Sequence, residues 1–324
     1  MWGWGDPPPR RGTMRNFLIR RVIQSVVLLF VLMSFTFVLT RVTPGGPEAA
    51  LAEAPNVQQA DLDRIRERFG LNDPLPIAYA KWMSNAIRGD FGRSYHYLRP
   101  PFEVIGERIW PTIQLGIVAY IIALVGIVLG VIAAYHRGKT PDMLIRIFTV
   151  VGDATPHWWM GLVIIVLLAS TVGWFPQGQG QGGVWDWFRH IIVPATILGL
   201  GGLIVYTRFV RSQVLEVLSQ DHVRTARSKG LKEGYVAQWH VLRNALIPVV
   251  TLLGSFLPFL ISGAAITESI FNWPGMGRLF LEAATTRDYP LLLAILSLGT
   301  VATMAGTFIA DVMYGTVDPR IRYS

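Results

Sequence analysis

Six stretches of this sequence are each long and apolar enough to cross a bilayer as a helix, which removes most folds from consideration. They run over residues 17–39, 113–135, 144–173, 191–210, 246–267 and 291–314. A hydrocarbon core of about 30 Å takes about 20 residues of helix. Inside that core the backbone must satisfy its own hydrogen bonds, which helices do within a single segment. The expected fold is therefore an all-α polytopic membrane protein with six transmembrane helices. Composition agrees: 52% of residues are hydrophobic, 15% are charged, and the mean hydropathy is +0.41. The third stretch contains Asp153, Pro156 and His157. It reads either as a kinked span or as a span preceded by an interfacial helix. Pro258 is expected to bend the fifth span.

Lysine and arginine set the orientation. The N-terminal lead carries Arg10, Arg11, Arg15, Arg20 and Arg21, and the loop after the second span carries Arg137, Lys139 and Arg146. Arg208 and Arg211 close the fourth span. The opposite loops are poorer in cations, with Arg189 in one, and Arg278 and Arg287 set against Glu268, Glu282 and Asp288 in the other. Both termini are expected to be cytoplasmic. Residues 1–13 are Pro/Gly-rich and read as a disordered extension, and Met14 offers an alternative start. The first span, within 14–40, is longer than a signal-peptide core and reads as a retained anchor.

Residues 41–112 form an outer segment with nine Lys/Arg balanced by nine Asp/Glu. RIRERFGLNDPLP reads as a helix ended by Gly70 and a Pro-bounded turn, and IAYAKWMSNAIRGDFGRSY as a second amphipathic helix followed by a glycine-broken loop. One reading is a lid or docking surface; the other is a solvated cap that rigidifies the spans. The tryptophans of the loop FPQGQGQGGVWDWF read as membrane-interface residues, with ligand stacking as their other reading.

One loop is too well patterned for a tether. Residues 221–248 read DHVRTARSKGLKEGYVAQWHVLRNALIP and carry Arg224, Arg227, Lys229, Lys232 and Arg243. Good helix formers from Val223 to Lys229 lead into Gly230, where the chain turns without a Cβ penalty. A second helix is expected from about Glu233 to Leu246, ahead of Pro248. The pattern reads as a docking element; a basic inner loop binding lipid headgroups is the alternative.

Several chemistries find no support. There is no cysteine, so disulfides, thiolate catalysis and Cys-based metal sites are excluded. GKT at 138–140 has Ala133 where a phosphate loop needs glycine, and it follows a membrane span. The six histidines are scattered, so spacing indicates no metal site. The basic residues are divided among loops, which topology explains without nucleic acid. Ionisable residues inside a membrane are functional candidates; here Asp153, and less so Glu268 and Asp311, come near it. Asp153 reads either as part of a transport path or as a helix cap or arginine partner. So few buried carboxylates argue against a secondary, ion-coupled carrier, the alternative of another class.

DHVRTARSKGL at 221–231 and HVLRNALIPVVT at 240–251 resemble the cytoplasmic signature of permease subunits of binding-protein-dependent ABC importers, in the dipeptide/oligopeptide/nickel group. Ala226, Gly230 and Leu242 match the general pattern. FLIRRVIQSVVLLFVLMSFTFVLTRVTPGGP, FGLNDPLPIAYAKWMSNAIRGDFGRSY, ITESIFNWPGMGRLFLEAATTRDYP and DVMYGTVDPRIR are similar to that group in order and spacing. The resemblance covers nearly all of residues 14–324, and the long segment between the first two spans is similar to the first of the two paired permeases.

This resemblance implies residues 113–324 as a five-helix permease core. It implies that Arg224, Thr225, Ala226, Arg227, Ser228, Lys229, Gly230 and Leu231 form a coupling helix on a partner ATPase. The implied partners are a second homologous permease, one or two ATP-binding subunits, an extracytoplasmic solute-binding protein and membrane lipid. No cofactor is expected on this chain; ATP and magnesium belong to the partner ATPases, and the chain is a transport subunit rather than an enzyme. The implied location is the inner or cytoplasmic membrane. Peptide is the favoured cargo, with nickel, glutathione or oligosaccharide as alternatives. Gly254, Ser255, Pro258, Ser262 and Gly263 in the fifth span are pathway-lining candidates, with close helix packing as their other reading.

Overall fold

The computed structural model describes residues 14–42, 73–180, 182–246, 249 and 264–317. The described residues are helical, without strands. The first helix, α1 (Met14–Val42), covers the first expected span. In the outer segment α2 (Leu75–Ile87) opens after Pro74, whose fixed φ suits a helix start. It leans on α1 through a hydrogen bond between the Ser34 and Tyr79 hydroxyls at 2.6 Å and a stack of Phe37 on Trp82. The RIRERF helix expected before it lies outside the described residues.

Two helices of 35 residues form the centre: α3 (Pro101–Tyr135) and α6 (Val184–Leu218). Each is longer than the apolar stretch that announced it. At 1.5 Å per residue each extends about 50 Å and projects beyond the hydrocarbon core. They touch through small residues on both sides. A Cβ on Gly126 would collide with the Leu203 carbonyl, and one on Gly130 would lie 2.7 Å from the Thr207 carbonyl. Reciprocally, a Cβ on Gly199 would meet the Ala119 carbonyl, and one on Gly202 would lie 2.8 Å from Ala123 Cβ. Membrane helices gain association energy from such close backbone approach, since lipid offers no hydrophobic drive between them.

The third expected span is two helices. α4 (Thr140–Ala154) and α5 (His157–Val172) meet at 98°. Pro156 brings no amide hydrogen and pushes Thr155 into extended backbone (φ −103, ψ 127), which ends α4. α5 stops at Gly173 in the left-handed region, φ 65. After the polar loop come two short helices, α10 (Ala265–Ile270) and α11 (Met276–Thr285), and then the long α12 (Tyr289–Val317). Among the described residues three helices are long and apolar enough to cross a membrane, or four if the bent pair is one span. Most of the fifth stretch lies outside the described residues, including Gly254, Ser255, Pro258, Ser262 and Gly263.

Two buried carboxylates tie the remaining pieces. Glu268 is fully buried and accepts hydrogen bonds from Thr112 Oγ1 (3.0 Å), the Arg278 amide (2.9 Å) and the Ala264 amide (3.3 Å). The Thr112 hydroxyl also accepts from the Met276 amide, and buried Trp273 donates its indole N–H to the Pro111 carbonyl at 2.9 Å. This knot holds the 264–278 turn against α3. Asp288 is likewise buried. It accepts from the Ser94 hydroxyl, the His96 amide (3.1 Å) and the Leu291 amide (3.3 Å), so one carboxylate fixes the outer segment to the start of α12.

Candidate functional site

Residues 221–246 carry the candidate site. α7 (Asp221–Ser228) follows Gln220, with Asp221 in its first turn and Arg227 in its last, both favourably placed in the helix dipole. Lys229 caps it, and Gly230 turns the chain at φ 76. A Cβ at Gly230 would meet nothing within 4 Å, so glycine is there for its backbone angle and not for space.

α7 is amphipathic. Val223 and Ala226, three apart, are buried, whereas Arg224, Thr225, Arg227, Ser228, Lys229, Gly230 and Leu231 are exposed. The buried pair belongs to one apolar cluster with Val210, Val214 and Val217 of α6 and Ala134 of α3. The sequence-expected coupling residues therefore form one short element. Its apolar side is seated on the ends of the two central helices, and its cationic side is open.

The expected second helix differs from an ordinary one. It begins as α8 (Glu233–Tyr235), continues as a π-helix over Val236–Leu242, and ends as α9 (Arg243–Ala245). Val236 and Val241 are both fully buried in the α7 cluster. Their spacing of five is the π-helical repeat, and it lets both valines reach the same core. Outside, Tyr235 and Trp239 are exposed with ring centroids 6.4 Å apart, and the Arg243 guanidinium lies 5.9 Å from the Trp239 ring.

Two ties cross from α7 to this rod. The His222 imidazole Nε2 lies 3.2 Å from the His240 carbonyl. At the other end Arg227 forms a two-pronged pair with Glu233, Nη2 to Oε1 at 2.5 Å and Nε to Oε2 at 3.1 Å. The hydrogen bond from Arg227 holds the Glu233 carboxyl below its ordinary range.

Behind the loop, Asp142 is buried just ahead of the expected third span. It accepts from Arg211 Nε (2.8 Å), Arg211 Nη2 (3.0 Å) and the Gly138 amide (3.0 Å). The two-pronged Arg211 contact satisfies both carboxylate oxygens of Asp142. Asp153 pairs with Arg208 at 2.7 Å, each side chain about half exposed. The arginine-partner reading of Asp153 is what the geometry displays. Glu268 serves the knot described above, and the side chain of Asp311 lies outside the described residues. The anchoring roles of Asp142 and Asp288 were missed from sequence. Each stands at a helix start, Asp142 after Thr140-Pro141 and Asp288 before Tyr289-Pro290, the available signal.

The family model described as binding-protein-dependent transport system inner membrane component matches residues 126–323, and its N-terminal companion matches residues 14–113. The chain belongs to this permease family. The permease is 39% identical to the oligopeptide transport system permease protein AppB of Bacillus subtilis, over 96% of this chain and 100% of that one. It is 36% identical to the glutathione transport system permease protein GsiC of Escherichia coli, over 96% and 100% of the two chains. Among solved structures it is similar in fold to the inward-facing MetNI methionine ABC transporter. There the TM-score is 0.51 at 18% identity, covering 67% of this chain and 97% of that one. The permease is thus a membrane subunit of an ABC transporter and not an enzyme; the ATPase is a separate subunit.

Proposed function

We propose that this permease is the first of two paired membrane subunits in an importer for di- or oligopeptides, and that α7 with Gly230 is its coupling helix. Peptide cargo is supported by the oligopeptide permease at 39% identity. The glutathione permease at 36% supports a second reading, a modified tripeptide as cargo. In the proposed assembly six spans place both termini in the cytoplasm. A solute-binding protein delivers cargo from outside, and one or two ATP-binding subunits supply ATP and magnesium within.

The observation that carries the coupling assignment is the seating of α7. Val223 and Ala226 share one buried apolar cluster with Val210, Val214 and Val217 of α6 and with Val236 and Val241 of the rod. A push on the open face of α7 therefore reaches the foot of α6, and through its glycine contacts α3, as rigid-body motion. Gly254, Ser255, Pro258, Ser262 and Gly263 remain the proposed pathway lining.

The test is the complete complex in liposomes, with ATP hydrolysis and labelled-peptide uptake measured together. Proline cannot adopt φ 76. Gly230→Pro is therefore expected to leave the complex assembled and hydrolysing ATP while uptake is lost. Parent-like uptake with ligand-stimulated hydrolysis would overturn the coupling assignment. Competition by unlabelled glutathione, peptides, nickel and an oligosaccharide separates the cargo classes.

A further inference from the structure

We infer that Glu233 is a positioning residue for coupling, acting through Arg227, so that the Arg227–Glu233 pair sets the angle at which α7 is presented. The inference rests on the coupling reading of α7. It assigns Arg227 an internal role instead of a contact with the ATPase, and it assigns a role to Glu233, outside the signature.

Between Ser228 at the end of α7 and Glu233 at the start of α8 lie four residues, Lys229 to Lys232, all exposed. No atom lies within 4 Å of a Cβ built on Gly230, so packing at the turn does not fix its angle. The apolar cluster around Val223 and Ala226 holds α7 from below, and the His222 contact with the His240 carbonyl ties its first turn to the rod. The ion pair ties its last turn. Both prongs of the guanidinium engage both carboxylate oxygens, and such a fork fixes orientation as well as distance.

Dipoles favour the same arrangement. Arg227 stands in the last turn of α7, where positive charge is favoured, and Glu233 in the first turn of α8, where negative charge is favoured. The pair thus joins the last turn of α7 to the start of α8. Its contribution to global stability is small, because both side chains are about half exposed. Its contribution to angle does not depend on burial.

The experiment uses the reconstituted complex, scored as peptide molecules imported per ATP hydrolysed. Co-purification of the partner subunits establishes assembly for every variant. Glu233→Gln keeps the shape and removes the charge, and is expected to lower the ratio by about two- to fivefold, the scale of an exposed pair. Arg227→Glu should lower it further through repulsion. The exchange of both, Arg227→Glu with Glu233→Arg, should recover part of the loss, since it restores the pair but opposes both dipoles.

A covalent version removes the dipole issue. The chain has no cysteine, so Arg227→Cys with Glu233→Cys can be joined by a short bis-maleimide. Coupling should be low before the bridge and restored after it. If Glu233→Gln couples like the parent while Arg227→Glu does not, Arg227 acts on the partner directly and the positioning role is overturned. The same holds if neither the exchange nor the bridge restores the ratio. Gly230→Pro keeps the two ideas apart. Its failure to uncouple removes the coupling helix itself, whereas uncoupling by Gly230→Pro with a silent Glu233 removes only the positioning role.

Discussion

Gly275→Ala is expected to damage the permease out of proportion to one added methyl. The backbone of Gly275, φ −103 and ψ −178, is open to alanine, so strain plays no part. Space is the obstacle. A Cβ there would lie against all three carboxyl atoms of Glu268, well inside the 3.4 Å at which ordinary contact begins. The carboxylate would have to retreat by about 1 Å. Both of its oxygens are engaged, at 2.9 Å to the Arg278 amide and 3.0 Å to Thr112 Oγ1. A retreat of that size breaks both. Hydrogen bonds to a charged group are worth about 1.5–3 kcal/mol each, so the loss is about 3–6 kcal/mol. The reduced entropy of the unfolded chain returns only about 0.4–1 kcal/mol. At about 2–4 °C per kcal/mol, the melting temperature should fall on the order of 10 °C. Fluorescence-monitored melting of the detergent-purified complex reads this directly. Gly234→Ala is the control, because nothing lies within 4 Å of its Cβ. A Gly275→Ala melting point within about 2 °C of the parent would refute the account of Glu268 as an immovable anchor.

Two further outcomes follow from the helix packing and the ion pairs. Gly199→Val would drive a side chain into the Ala119 carbonyl, an atom of the helix backbone that cannot rotate away, so α3 and α6 must part. A cost of at least about 1–3 kcal/mol is expected. In the same melting assay Gly201→Ala, whose Cβ would stand 3.6 Å from the His157 ring, should stay near the parent. Asp142→Asn would weaken the charged hydrogen bonds from Arg211 Nε and Nη2, each worth about 1.5–3 kcal/mol. The variant should melt below the parent in the same assay, and a parent-like melting point would contradict the Arg211 assignment.

The broad architecture was legible because membrane helices obey a simple rule of apolar length. Residues 113–135 and 191–210 announced α3 and α6, and Val223 to Gly230 announced α7 and its turn. What escaped had a different physical source. The first third of α3 and the start of α6 mix charged with apolar residues, so they add no apolar run; Pro100, Pro101 and Gly183 were the available signs. The division at Pro156 was legible as an irregularity, but its 98° angle depends on what each half packs against. Asp142, Glu268 and Asp288 show the limit most clearly. A carboxylate becomes an anchor through partners distant in sequence, such as Arg211 for Asp142, Thr112 for Glu268 and Ser94 for Asp288. No local pattern names those partners.

The π-helical Val236–Leu242 gives the permease a phase setting. A π-turn is an α-helix carrying a surplus residue. Removing that surplus would turn everything downstream by about 100° and shorten the rod by about 1.5 Å. With the surplus in place, Val241 and Ala245 face the same core as Val236. Leu246 therefore stands at a rotation fixed by one wound-in residue. Changes in the length of this short rod act as changes of orientation, so insertion and deletion here are steps of rotation rather than of reach.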